Sequence, residues 1–183
     1  MIDEIAFIYP DLYDYIGSYA FDTPSFAKEL TTYFDQYRMQ KVTNQIDPSF
    51  IELVEEYAHS AKYAKLPTRD SAINLIQDKK NAFLYWIDAL GVEYIPYFIA
   101  YAKKKGLSIH IETTRCDLPT ITEINKAFYD NWQGDMKYKE ERLDDIKHHD
   151  KGGYLFTTDE TPIHLASELQ VIRDTVDRAA MEL

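Results

Sequence analysis

The run Ala82-Phe83-Leu84-Tyr85-Trp86-Ile87 is apolar without interruption and stops at Asp88. A strand wetted on one face alternates apolar and polar residues. An unbroken run suits a central parallel strand covered on both faces. Parallel strands need a crossover, and one follows. A helix is expected to run to about Lys105, with Pro96 in its first turn, where a missing N–H breaks no bond. Gly106 is its natural stop. Leu107 to Ile111 (LSIHI) then reads as a second short strand, giving β-α-β with a right-handed crossover. The fold class expected is α/β, with part of a doubly wound parallel sheet.

The chain divides by pattern into a helical N-terminal region, 1–78, and a partial α/β domain, 79–183. In the first, Thr23-Pro24 and Asp47-Pro48 are helix starts: an oxygen accepts from an orphan N–H, and Pro stands at the first helical position. Phe26, Leu30, Tyr33, Phe34 and Tyr37 share one face of the first of these helices. Ile51, Val54, Ala58 and Ala61 follow on the second. These stripes read as core packing rather than as a ligand pocket. A third helix is expected from Asp70 to about Asp78. Beyond the β-α-β unit, a helix is expected through about Trp132, then a charged helix or turns over 136–150, broken at Gly152-Gly153. Tyr154–Phe156 is a candidate third strand. A last helix from Thr161-Pro162 carries Leu165, Leu169, Ile172 and Val176 on one face.

Charge and composition exclude several classes of function. Net charge is −11 with a pI near 4.8, so the Lys and Arg needed to neutralise phosphates are outnumbered and direct nucleic-acid binding is not expected. The opening residues MIDEIAFIYP are acidic where an export signal is basic. The longest mostly apolar stretch, Ala89 to Ala102, holds Glu93 and is shorter than the about 20 residues that cross a bilayer. Cys116 is the single cysteine, and a lone thiol fits a reducing compartment. A cytoplasmic location without membrane contact is expected.

Two features fall where an open parallel sheet binds ligands, outside the carboxyl ends of its strands. Asp88 ends the first, and Pro119-Thr120-Ile121-Thr122 follows the second. Neighbouring strands lie roughly 4.8 Å apart, so both can face one ion or phosphate. A carboxylate suits Zn²⁺ or Mn²⁺, and a threonine beside the ion can attack phosphorus. A purely structural reading competes. Thr120-Ile121-Thr122-Glu123 fits a capping box, with Thr120 capping the next helix and Glu123 reaching back.

The stretch YWIDALGVEYI followed by LPTITEIN resembles the PglZ-type domain of the alkaline-phosphatase superfamily, found in BREX phage-defence systems. The version here looks most like the fourth BREX type. The tract from Phe34-Asp35-Gln36-Tyr37-Arg38 to Leu66-Pro67-Thr68-Arg69 is similar to the helical lead-in of such proteins. The resemblance implies that Asp88 binds metal and that Thr122 is the nucleophile. It places Thr120 beside Thr122, and Asn125 where some relatives contact phosphate. It also implies a divalent cofactor, Zn²⁺ or Mn²⁺, a phosphoester substrate and other defence-system subunits as partners.

The pattern departs from the family at one point. The later Asp-His pair of the two-metal centre does not occur; His148-His149-Asp150 has the reverse order. Asp144 and His148, spaced i, i+4, share one helical face and are the remaining candidate ligands. A solvated helix end explains them equally. The chain thus reads as the N-terminal part of a phosphoesterase, inactive by itself. The rival reading is a non-catalytic interaction module whose acidic, Tyr-rich front binds other subunits. A generic nucleotide-binding domain is disfavoured, because no G-x-G-x-x-G or G-x-x-x-x-G-K-[ST] is present. Exposure of the Leu165–Val176 stripe would favour a homo-oligomer. Of the remaining groups, His110 is expected to be a packed histidine or to face the ligand edge. Arg38, Arg69 and Arg115 are expected at the surface, within reach of phosphate.

Overall fold

The computed structural model describes residues 2–22, 26–87, 90–134, 136–140 and 164–182. Contacts divide the chain into two units. One comprises Met1–Ala72, Gly91–Ala100 and His110–Cys116; the other comprises Ile73–Leu90, Tyr101–Ile109 and Asp117–Leu183.

The first unit is helical. Short helices α1 (Ile2–Ile8) and α2 (Pro10–Tyr15) precede the longer α3 (Ala27–Thr43) and α4 (Pro48–Ser60). The start of α4 follows its expected chemistry. Asp47 accepts from the Ser49 N–H at 2.8 Å, and Pro48 stands at the first helical position. The expected start at Thr23-Pro24 lies outside the described residues. Asn44 ends α3 and Ala61 ends α4, each in the left-handed conformation. The third expected helix, α5, is shorter than its pattern suggested and spans Arg69–Asn74. Tyr33 sits among Phe34, Tyr37, Phe50 and Tyr57, with ring centroids 5.0 to 6.3 Å apart. Tyr15 and Tyr97 are fully buried.

The Asp47 cap makes a pH dependence predictable. Hydrogen bonds from Ser49 hold its carboxyl below the ordinary value of 3.8. A depressed folded-state pKa stabilises above the unfolded value and loses that contribution as pH falls through the folded one. Acid titration followed by far-UV circular dichroism should therefore show helix loss below pH 3.8 that is blunted in Asp47→Asn.

The second unit holds a two-stranded parallel sheet, β1 (Phe83–Ile87) and β2 (Met136–Glu140), in register Phe83↔Met136 through Ile87↔Glu140. The apolar run therefore forms its strand, but its partner is not the expected one. Leu107–Ile111 is irregular, and the parallel partner comes from the segment expected to be helix or turns. The reason lies in the period: Met136-Lys137-Tyr138-Lys139-Glu140 alternates by twos, which suits a strand and not a helix. The chain enters β2 through Gly134, where an added Cβ would stand 2.4 Å from the Lys79 carbonyl oxygen and from the Trp132 ring. Only glycine tolerates that approach.

The crossover begins with a 3-10 turn (Val92–Tyr94) and helix α6 (Ile95–Lys104). Pro96 is the second residue of α6, in its first turn, and Gly106 follows the helix with φ +76°. Two single-turn helices, α7 (Thr122–Asn125) and α8 (Ala127–Asp130), precede β2. Trp86 of β1 packs on Phe128 and Tyr129, with centroids 5.1 and 5.2 Å away.

Helix α9 (His164–Glu182) packs against β1. Its Leu169, Ile172 and Val176 are buried, so this stripe belongs to the core and offers no exposed seam. Asp177 of α9 takes the Lys105 ammonium at 2.7 Å and the Tyr101 hydroxyl at 3.1 Å. Among the described residues no helix is long and apolar enough to cross a membrane.

Candidate functional site

The segment after α6 that carries the threonines is organised by one side chain. The Asn125 amide nitrogen donates to the carbonyl oxygens of Asp117 at 3.0 Å, Pro119 at 3.3 Å and Ile121 at 3.1 Å. Its carbonyl oxygen accepts from the Asp117 N–H at 2.8 Å. Both ends of the amide are thus used to gather the turn from Asp117 to Ile121, which the Ile121 N–H tightens by donating to the Pro119 carbonyl at 2.8 Å. The Leu118–Pro119 peptide is cis.

This turn sets where α7 begins. Thr122 is its first helical residue and Ile121 its N-cap, with no side-chain capping bond. The capping box expected of Thr120 and Glu123 does not form. The motif needs its hydroxyl at the cap and its acid three residues on. The helix starts one residue too late for Thr120, and Asn125 draws the Ile121 carbonyl instead. Thr120 is left exposed and Thr122 partly buried. Leu118, Ile121 and Ile124 around the turn are exposed apolar side chains.

The three candidate metal ligands, Asp88, Asp144 and His148, lie outside the described residues. Among the described residues, no group of three or more His, Cys, Asp or Glu could hold an ion. The sequence places Asp88 directly after the last residue of β1, whereas Pro119–Thr122, expected to follow the second strand, comes before β2.

His110 was expected within a strand. It lies in the irregular segment, 83% exposed, with its Nε2 2.8 Å from Glu112. The alternation that turns Leu107, Ile109 and Ile111 inward turns His110 out. The arginines also depart from expectation. Arg115 donates from Nε to the Leu66 carbonyl at 3.2 Å, and its N–H bonds the Pro67 carbonyl at 3.0 Å. Arg69 donates to the Cys116 sulfur at 2.7 Å. The Leu66–Arg69 and Arg115-Cys116 tracts, far apart in sequence, thus hold each other.

Arg38 is the largest departure. It is fully buried, pairs with Asp35 through Nη2, and finds no acceptor for Nε or Nη1 among the described residues. Burial pushes its guanidinium down from the ordinary value, and the charges of Asp35, Tyr15 and Glu93 pull it back up. Nearby, the Lys41 ammonium donates to the Tyr94 hydroxyl at 2.7 Å. The FDQYR tract and the GVEY turn therefore meet in the first unit, through the Arg38–Glu93 attraction and through Lys41 and Tyr94.

A feature the sequence did not signal lies between α3 and α4. A cavity of about 310 Å³ is walled by Phe26, Tyr33, Phe34, Tyr57 and Tyr63, with Glu29 and Lys62 also lining it. Amphipathic spacing marked Phe26, Tyr33 and Phe34 as inward-facing, but the α4 stripe expected to pack with them is exposed, Ile51 at 51% and Val54 at 37%, while Phe50 of α4 is buried. Such spacing carries no information about how closely the two helices close over the aromatic residues.

Comparison of the chain with protein-family models, with curated proteins and with solved structures finds no match in any of the three.

Proposed function

We propose that the chain is the N-terminal part of a PglZ-like phosphoesterase of a phage-defence system, hydrolysing phosphomonoesters or phosphodiesters. The supporting observation is the parallel β1–crossover–β2 unit. In this reading the unit is part of a doubly wound sheet, and Asp88 follows directly on the carboxyl end of β1, where such sheets bind ligands. Thr122 opens α7 behind a turn that Asn125 holds in place.

In this reading the Thr122 hydroxyl attacks phosphorus, the leaving alkoxide departs with a proton, and water then hydrolyses the phosphothreonine. Asp88, with Asp144 and His148, would hold the divalent ion, Zn²⁺ or Mn²⁺, whose charge lowers the pKa of a nearby hydroxyl. Thr120 stands beside the phosphate. Asn125 contributes chiefly by fixing the turn, because its amide is engaged with four backbone groups. Partners are other subunits of the defence system.

The test is hydrolysis of bis(p-nitrophenyl) phosphate with added Mn²⁺ or Zn²⁺, using the protein joined to whatever follows it in its reading frame. Thr122→Ala is expected to lower kcat by about 10³-fold or more, the scale of losing an essential nucleophile. Unchanged turnover would remove Thr122 from the mechanism.

The second reading is a non-catalytic interaction module. It is favoured by the apolar surface at the turn, where Leu118 is 66%, Ile121 48% and Ile124 45% exposed. Calorimetric titration with Zn²⁺ separates the two. Saturable binding lost in Asp88→Ala belongs to the hydrolase, and absence of heat belongs to the module.

A further inference from the structure

We infer that the cavity between α3 and α4 is a binding site for a small, neutral, planar aromatic molecule, a function separate from phosphoester hydrolysis. Its volume, about 310 Å³, falls at the lower end of the range of small-molecule pockets, about 300–1,000 Å³. That is room for a one- or two-ring compound. The walls select the ligand's body. Phe26, Tyr33, Phe34, Tyr57 and Tyr63 offer ring faces and edges, against which a flat ring gains stacking and edge contacts that an aliphatic chain does not.

The lining also selects the ligand's charge. Its two ionic groups are the Lys62 ammonium and the Glu29 carboxylate, joined at 2.9 Å. Each holds the other in its charged form: the Glu29 carboxyl is lowered and the Lys62 ammonium raised by their shared hydrogen bond. The pair is therefore neutral as a unit and leaves neither charge over for an ionic ligand. Ser60, a further polar side chain of the lining, spends its hydroxyl on the Tyr57 carbonyl at 2.8 Å. An anion placed against the negative faces of these rings would lose hydration without compensation. A neutral ring with one hydrogen-bonding atom directed at the Glu29–Lys62 pair would not. Partial burial raises the hydroxyl pKa of both Tyr33 and Tyr57, with nearby carboxylates adding to it.

Indole is the test probe, followed by saturation-transfer NMR and by titration of its chemical shifts. Saturable one-to-one binding is expected, weakened roughly tenfold or more in Ala58→Phe, whose new ring fills the cavity. Ala58 lies on the exposed part of α4, so the fold should survive, with far-UV circular dichroism as the check. Val54→Phe, on the same wall, should act alike. Benzoate, a charged ring of similar breadth, should bind more weakly than indole. Absence of saturable indole binding, or binding untouched by both fillings, would overturn the site. Benzoate binding as tight as indole would overturn the ligand class.

Discussion

Asp35→Ala is expected to cost about 3 kcal/mol of folding stability, while Arg38→Met at the other end of the same pair should cost little or raise stability. The asymmetry follows from burial. The Arg38 side chain is fully buried and the Asp35 side chain is 40% exposed. Removing Asp35 strands a guanidinium whose Nε and Nη1 already lack acceptors among the described residues. Removing the guanidinium leaves a carboxylate that water can reach and that still accepts from the Ser18 hydroxyl at 2.9 Å. Met fills much of the arginine volume with no ion to desolvate. Urea unfolding of the two variants measures the contrast. Equal losses would mean that the pair, and not the buried charge, sets the energetics.

Asn125→Ala should cost about 1 kcal/mol, because four hydrogen bonds are lost but from an exposed turn, where water replaces part of them. Asn125→Asp is the sharper variant. It keeps an acceptor for the Asp117 N–H but turns the amide donor into an oxygen facing the carbonyls of Asp117, Pro119 and Ile121. A nearly isosteric change should thus be at least as damaging as truncation. Hydrogen exchange at the Asp117 amide reads the turn directly: protected in the parent, fast in Asn125→Ala. Intact protection in that variant would show that the turn is held by other means. Loss of the turn should also carry Thr122 out of place, so any phosphoester hydrolysis should fall with it.

What could be read in the sequence was chemistry confined to a few residues. The apolar run forms β1, Pro96 stands in the first turn of α6, Gly106 takes a positive φ, and Asp47 caps α4. Each depends on a side chain acting within one turn of itself. The features that were not legible depend on partners distant in sequence. The hydrophobic LSIHI was expected to pair with β1, yet the charged MKYKE, expected to be helix or turns, does so. The capping frame at Thr120 is not used: α7 starts at Thr122, and Asn125, five residues on, gathers the turn instead. Arg38 looked like a surface cation until Tyr15, Tyr97 and the Glu93 turn were seen in the same unit. The α3–α4 cavity follows from how two helices diverge, which no periodicity encodes.

The account of function requires the residue after β1 and the first residue of α7 to face one ion. Ligand bonds near 2 Å leave their side-chain ends within a few ångströms of each other, inside the reach of a bis-maleimide, a thiol-reactive electrophile at both ends, spanning about 8 Å. Asp88→Cys with Thr122→Cys, in a Cys116→Ser background, should therefore give one intramolecular cross-link by mass spectrometry. Two separate single-ended adducts, with no bridged species, would contradict a shared site at Asp88 and Thr122.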